Sequence, residues 1–244
     1  MFGESLRSAA ALLWSFDPRL WEIVGLSLQV SISAVVLASL IALPLGAATA
    51  LLRFPGRRLL SVCLTAFMGL PPVVVGLVVY LLLSRSGPLG TLGLLFTPTA
   101  MILAQTLLII PIVAALTRQV IADLWSEYSE QLLSLGSSRM RAIPTLLWDG
   151  RFSLLTAILA GFGRASAEVG AVMIVGGNID HLTRVMTTAI ALETSKGDLP
   201  LALGLGLLLI ILSLTVNAGA HLLGEWAKQH SEAPPLRAGL RDEP

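Results

Sequence analysis

Five apolar stretches, each long enough to cross a bilayer as a helix, constrain this chain more than any other feature. They run at about residues 23–52, 59–83, 99–116, 152–175 and 199–223. A hydrocarbon core about 30 Å thick is spanned by about 20 helical residues. Only 13% of the residues are charged, whereas a soluble domain carries about 25%. The sequence therefore predicts an all-α, polytopic membrane protein with about five transmembrane helices.

Two short segments flank the predicted transmembrane domain, which covers residues 23–223. Residues 1–22 are interpreted as an outer or interfacial segment. The apolar residues that recur there at helical spacing are Leu6, Ala9, Ala10 and Leu13. Residues 224–244 are polar and contain proline, which predicts a cytoplasmic tail without a packed core. The first apolar stretch is long enough to tilt, or to kink at Pro44.

The distribution of positive charge predicts the orientation. With the N-terminus outside, ten of the 16 Lys and Arg residues fall on the cytoplasmic side, namely Arg53, Arg57, Arg58, Arg118, Arg139, Arg141, Arg151, Lys228, Arg237 and Arg241. Five fall outside, namely Arg7, Arg19, Arg85, Arg184 and Lys196. Because cytoplasmic segments carry the excess of positive charge, we expect the N-terminus outside and the C-terminus in the cytoplasm.

Motifs that the sequence lacks argue against an enzyme. There is no G-x-x-x-x-G-K-[ST] phosphate loop, which argues against ATP hydrolysis by this chain. The single cysteine, Cys63, cannot form a disulfide framework. The three histidines lack metal-ligand spacing, and a net charge of +1 argues against a nucleic-acid partner. We expect a non-catalytic membrane subunit that holds no metal or cofactor of its own.

The longest polar connection, about residues 118–151, contains an amphipathic pattern. Residues 123–135 place four apolar side chains on one helical face, namely Leu124, Tyr128, Leu132 and Leu135. The pattern ends near Gly136, as expected for a helix C-terminus. This face either packs against the membrane bundle of the same chain or inserts into a groove on a partner protein, and the pattern does not distinguish the two.

Two charges lie deep in the fourth apolar stretch. Arg164 and Glu168 are four residues apart, which predicts one helix face. A charge at the bilayer centre costs about 2.5–3.5 kcal/mol on insertion scales, so both should face protein or water. They either pair to fix the bundle, or Arg164 adds positive potential to an anion pathway while Glu168 holds its position.

Two further regions carry alternatives. Pro71 and Pro72 break the hydrogen-bond ladder of the second stretch, which indicates either a simple kink or a gate that extends to Gly76. The second outer connection, 176–200, is rich in hydroxyl, amide and guanidinium donors. These donors suit an oxyanion, but they equally suit loop capping and contact with an external protein.

Several motifs resemble those of binding-protein-dependent ABC importer permeases. Residues 130–136 resemble the Glu-Ala-Ala…Gly coupling loop of that family, although Gln131 and Leu132 replace its alanines and its later Leu-Pro pair is absent. Residues 70–76 and 87–90 resemble the oxyanion branch. The longest match runs from Gly161 through Gly170 to Ile190, and its form is most similar to that of tungstate permeases.

The resemblance implies a type I ABC importer permease with a cytoplasmic coupling helix. It implies a permease homodimer in the bacterial or archaeal cytoplasmic membrane, two cytoplasmic ATPase subunits that bind ATP, and an extracytoplasmic oxyanion-binding protein. Tungstate is the expected substrate. Molybdate or sulfate transport is the alternative within the family, and a non-transporting membrane scaffold is the alternative outside it.

Candidate site residues follow from the resemblance and the patterns together. The residues assigned to docking of the ATPase are Glu127, Glu130, Gln131, Gly136, Ser137 and Arg139. The residues assigned to the substrate pathway or its gate are Pro71, Pro72, Gly76, Arg164, Glu168, Asn178, Thr183, Arg184, Thr187 and Thr188. For Arg139 and Arg141, a role as ordinary cytoplasmic positive charges is the alternative.

Overall fold

The computed structural model describes residues 18–231 and is helical, with no strand in that range. Its α-helices are α1 (Pro18–Leu51), α2 (Arg57–Phe67), α3 (Pro72–Leu83), α4 (Pro98–Ser134), α5 (Arg139–Asp149), α6 (Arg151–Ser166), α7 (Gly170–Gly176), α8 (Met186–Lys196) and α9 (Leu199–Ser231). Helices α1, α4 and α9 are long and apolar enough to cross a membrane, and the bent pairs α2–α3 and α6–α7 raise the number of candidate spans to five. The predicted all-α, polytopic fold is confirmed. The predicted helical spacing at Leu6, Ala9, Ala10 and Leu13 and the end of the predicted tail lie outside the described residues.

Helices α1 and α4 form the centre of the bundle. Alanines at every fourth position of α1, Ala34, Ala38 and Ala42, are fully buried. At Gly46 the approach is closest, because a Cβ there would lie 2.6 Å from the Ala114 carbonyl oxygen. Small residues let two helices pack backbone to backbone, which is a typical membrane packing device. Helix α1 begins at Pro18, in the segment predicted to be outer, and continues through Pro44.

The second apolar stretch is not one continuous helix; it forms the bent pair α2–α3, which the structure keeps as a candidate span. Helices α2 and α3 are bent by 108° relative to each other. Pro71 adopts an extended conformation, with φ −64° and ψ 121°, and Pro72 begins α3. Because proline lacks an N–H and is favoured at the first helical position, this pair ends one helix and starts the next.

The predicted amphipathic helix at 123–135 is the continuation of the third span. Helix α4 runs unbroken for 37 residues from Pro98 to Ser134. It ends as predicted at Gly136, whose φ is +75°. The Ser137 N–H donates to the Leu132 carbonyl (2.9 Å) and the Gly136 N–H to the Leu133 carbonyl (3.0 Å), which is a Schellman C-cap. Helix α5, which the sequence did not predict, follows after four residues and is capped by the Ser138 hydroxyl.

Arginine side chains close the end of α1. Arg57 donates from Nε to the Thr49 carbonyl (2.7 Å) and from Nη2 to the Ala50 carbonyl (2.8 Å). Arg139 donates to the Leu51 carbonyl (3.3 Å). The last carbonyls of a helix lack intrahelical partners and carry partial negative charge, so guanidinium groups stabilise them. These contacts bring the ends of α1 and α4 to one face of the bundle, called here the arginine end.

Candidate functional site

The fourth apolar stretch is broken where its charges lie. Helix α6 ends at Ser166, α7 begins at Gly170, and the two are bent by 59°. Glu168 therefore lies in the break and not on the helix of Arg164, which corrects the prediction of a shared helix face. The two side chains still approach each other, with 3.7 Å between Arg164 Nη2 and Glu168 Oε2.

Glu168 serves the backbone of the break. Its carboxylate is buried, and Oε1 accepts the Ala171 N–H at 3.0 Å. This bond satisfies one of the free N–H groups at the start of α7. The Arg164 side chain is 34% exposed, and its buried Nε has no hydrogen-bond partner among the described residues. Arg164 thus has an N–H donor available for a further hydrogen bond, whereas the Glu168 carboxylate already accepts the Ala171 N–H.

Two other helices donate hydrogen bonds to backbone carbonyls at the break. The Gln105 amide of α4 donates from Nε2 to the Ala165 carbonyl at 3.1 Å. The Thr187 hydroxyl of α8 donates to the Glu168 carbonyl at 2.8 Å. Gln105 was not predicted as a site residue, although an isolated amide in the apolar stretch 99–116 is a usable signal. A narrow cleft beside the break is lined by polar groups of Ser27, Ser31, Gln105, Ser166, Glu168 and Thr187.

The two broken segments meet each other. A Cβ at Gly76 of α3 would lie 2.7 Å from Ala171 Cα of α7, and a Cβ at Gly170 would lie 2.8 Å from Val73 Cγ2. Of the predicted gate at Pro71, Pro72 and Gly76, Gly76 packs directly against α7, which begins two residues after Glu168. Residues far apart in the chain thus form one irregular region, as is typical where backbone inside a membrane faces protein or a cavity.

Most of the predicted donors in the outer connection satisfy the loop itself. Thr183 and Thr188 are fully buried. The Thr183 hydroxyl donates to the Gly176 carbonyl (2.6 Å), and the Thr188 hydroxyl accepts the Val185 N–H (3.1 Å). Asn178 has a φ of +51°, and its amide lies 3.4 Å from the Thr188 carbonyl. Loop capping accounts for Thr183 and Thr188. For Asn178 it accounts only for Nδ2, because the buried Oδ1 has no hydrogen-bond partner among the described residues.

Charged side chains tie this loop to α1. Arg184 is paired with Asp180 at 2.7 Å and also reaches the Asn178 carbonyl at 3.5 Å. His181 lies 2.8 Å from Glu22, which is near the start of α1. The loop therefore lies at the N-terminal end of α1, opposite the arginine end.

The turn between α4 and α5 exposes both apolar and polar side chains. Glu127, Glu130, Gln131 and Gly136 are exposed, and Ser137 is half-buried. Leu135 is 82% exposed and Met140 is 70% exposed. Nothing within 4 Å would obstruct a Cβ at Gly136, so the turn is open at this position.

The two interpretations of the amphipathic pattern apply to different side chains. Leu124, Tyr128 and Leu132 pack partly against the cluster that α1, α4 and α5 form. The pKa of the Tyr128 phenol is raised above its usual value, mainly because the phenol donates a hydrogen bond to the Glu127 carboxylate. The negative charge of Glu127 is the second cause. Arg139 stacks on the Trp125 ring at 5.5 Å as well as capping α1, so it is part of the chain's own packing. The surface free for a partner is the turn around Gly136.

Comparison with known proteins identifies the family. Residues 42–229 match the family described as binding-protein-dependent transport system inner membrane component. The chain belongs to this family. Its resemblance to ABC importer permeases, read from residues 130–136 and from the break region, is therefore confirmed.

Named relatives include permeases for tungstate and for sulfate. The tungstate uptake system permease protein TupB of Peptoclostridium acidaminophilum is 43% identical over 222 residues, which is 91% of this chain and 97% of that protein. TupB of Campylobacter jejuni is 37% identical, covering 90% of this chain and 92% of that protein. The sulfate transport system permease protein CysT of Salmonella typhimurium is 29% identical over 157 residues, which is 62% of this chain and 57% of that protein.

Proposed function

We propose that the chain is the membrane permease of an ATP-driven, binding-protein-dependent tungstate importer. The observation that carries this proposal is the similarity, at 43% identity over nearly their full lengths, to a permease named for tungstate uptake. Sulfate permeases are similar over a smaller part, at 24% identity over 73% of this chain in one case and 33% over 52% in another. We therefore assign tungstate rather than sulfate as the substrate. Molybdate, which is nearly the same as tungstate in size and charge, is the main alternative substrate.

We propose that the arginine end faces the cytoplasm. Helices α1 and α4 both end there, since Arg57 and Arg139 bind the last carbonyls of α1. The positive-inside tendency supports this orientation. It puts the loop at 177–185 outside, where a binding protein delivers the anion, and it puts the C-terminus of the chain inside.

The ATPase subunits dock on the turn between α4 and α5. Its exposed leucine and methionine side chains would occupy an apolar groove, and Glu127, Glu130 and Gln131 would form the polar rim. The left-handed conformation at Gly136 sets the angle between the two helices. Two copies of the chain, each with one ATPase, would form the pathway between them.

The break region handles the anion. Tungstate is a divalent oxyanion that accepts many hydrogen bonds, and an arginine with unused donors at membrane depth suits it. Arg164 supplies the positive charge. Glu168 holds the backbone at Ala171 and limits how tightly the anion binds, because its own charge lies 3.7 Å from the guanidinium. Moderate binding allows the anion to leave on the inner side.

Reconstitution tests the proposal. The chain is placed in liposomes with its ATPase, and the binding protein is added with labelled tungstate, molybdate or sulfate. We expect ATP-dependent uptake that requires the binding protein and is fastest with tungstate. Uptake of sulfate alone would overturn the substrate assignment, and absence of ATP-dependent uptake of all three anions would support the scaffold alternative.

A further inference from the structure

A buried amide links the long helix α4 to the break in the fourth span. Gln105 is 3% exposed, and its Nε2 donates to the Ala165 carbonyl, 60 residues away in the chain. Ala165 lies between Arg164 and Ser166, in the last turn of α6. The Glu168 N–H donates to the same carbonyl at 3.2 Å. Gln105 thus binds the same carbonyl oxygen that accepts the Glu168 N–H after α6 ends.

The carbonyl oxygen of the Gln105 amide, Oε1, indicates that the bond from Nε2 to Ala165 has a role of its own. Gln105 Oε1 is buried and has no hydrogen-bond partner among the described residues. Leaving a buried polar atom unpaired is unfavourable, and an apolar side chain of similar shape would avoid it. The residue therefore carries a cost that the bond to Ala165 offsets.

Helix α4 extends from this bond to the turn at Gly136. It continues from Gln105 to Ser134, a rise of about 44 Å at 1.5 Å per residue. Pro111 lies inside this stretch and removes one backbone hydrogen bond, but the helix does not end there. A shift of the turn along the axis of α4 would therefore reach Gln105. Through its bond to the Ala165 carbonyl, Gln105 would displace the backbone between Arg164 and Glu168.

We propose that Gln105 is a positioning residue that connects the cytoplasmic turn to the break, so that movement of the turn opens or closes the region around Arg164. The inference rests on the proposed function, because it takes the turn at Gly136 to be where the ATPase acts. It adds the part of the chain that transfers the movement to the membrane-embedded charges.

Two substitutions and a matched control test this role. Gln105→Met keeps the length of the side chain and removes the donor. Gln105→Asn keeps the amide but is one methylene shorter, so it cannot reach the Ala165 carbonyl. Thr106→Val is the control, because Thr106 is also buried in α4 and its hydroxyl donates to the Ile102 carbonyl at 2.7 Å. It removes a buried donor without touching the break.

Hydrogen exchange of the permease–ATPase complex, with and without ATP, gives the first readout. In the unaltered chain we expect ATP to change exchange both at the turn, 133–140, and at the break, 164–171. Both Gln105 variants should keep the change at the turn and lose it at the break, whereas Thr106→Val should keep both. A purely structural role would alter the two places together.

Transport stoichiometry gives the second readout. We expect both Gln105 variants to hydrolyse at least about fivefold more ATP per tungstate imported, the lower end of typical coupling between sites. The inference is overturned if hydrogen exchange at the break still responds to ATP in both Gln105 variants, or if neither of these variants assembles with the ATPase. It is also overturned if Thr106→Val loses the response equally, or if the break of the unaltered chain does not respond to ATP. If the exchange pattern holds but the unaltered complex imports no tungstate, the substrate proposal fails and the link through Gln105 stands.

Discussion

Replacing Gly76 by alanine tests whether the two broken segments must lie in direct contact. The new Cβ would lie 2.7 Å from Ala171 Cα, whereas ordinary contact begins at 3.4 Å, so α3 and α7 would have to separate by about 0.7 Å. Overpacking of this kind costs about 1–3 kcal/mol. Alanine returns about 1 kcal/mol of helix propensity, so we expect a net loss of about 0–2 kcal/mol. At about 2–4 °C per kcal/mol for a chain of this size, the midpoint of thermal unfolding should fall by up to about 8 °C.

The assay compares thermal unfolding of the purified complex with uptake in liposomes. Because the displacement occurs at the break beside Glu168, uptake should fall by more than the loss of folded protein explains. Gly25→Ala is the matched control, since Gly25 lies in α1 with nothing within 4 Å of its added Cβ. Equal stability and equal uptake in the two variants would refute the view that the contact between α3 and α7 matters for transport.

Three further changes test other parts of the account. Gly136→Val should strain the turn by about 1–2 kcal/mol and reduce copurification of the ATPase. Gly93→Val, at a similarly open glycine with a φ of +61°, should leave copurification of the ATPase unchanged. Equal losses of ATPase in the two variants would contradict the assignment of the turn as the docking surface. Arg164→Ala should reduce tungstate uptake while the ATPase still copurifies, and loss of folding instead would support a structural role for this arginine. Arg57→Ala removes two charge-assisted bonds to the end of α1 and should lower stability by about 1–3 kcal/mol with ATP consumption per imported ion unchanged, which a rise in that ratio would contradict.

Hydropathy was sufficient to locate the five apolar stretches, because transfer into lipid depends on the composition of each stretch. It did not reveal how far α4 extends. The apolar run stops near Leu116, where the chain leaves the predicted bilayer, but the helix continues to Ser134. Its end at Gly136 was predictable, because a Schellman cap depends on local residues only.

The geometry of the two breaks could not be read from the sequence. Pro71 and Pro72 indicated an interruption, but the bend of 108° between α2 and α3 accompanies packing against Ala171, which is distant in the chain. Arg164 and Glu168 stand four apart, and their spacing alone could not show that the helix ends between them. The outer donors were predicted as possible anion ligands, yet Thr183 bonds to its own loop because the loop's backbone groups also need partners.

The sidedness of transport tests the central claim most directly. Complexes are reconstituted in liposomes with ATP and the binding protein on opposite faces, and accumulation of labelled tungstate is measured against a gradient. The account predicts accumulation only when ATP is on the face that carries the turn at Gly136, with tungstate moving toward the ATP. Accumulation with ATP on the other face, or tungstate movement that does not require ATP, would contradict it.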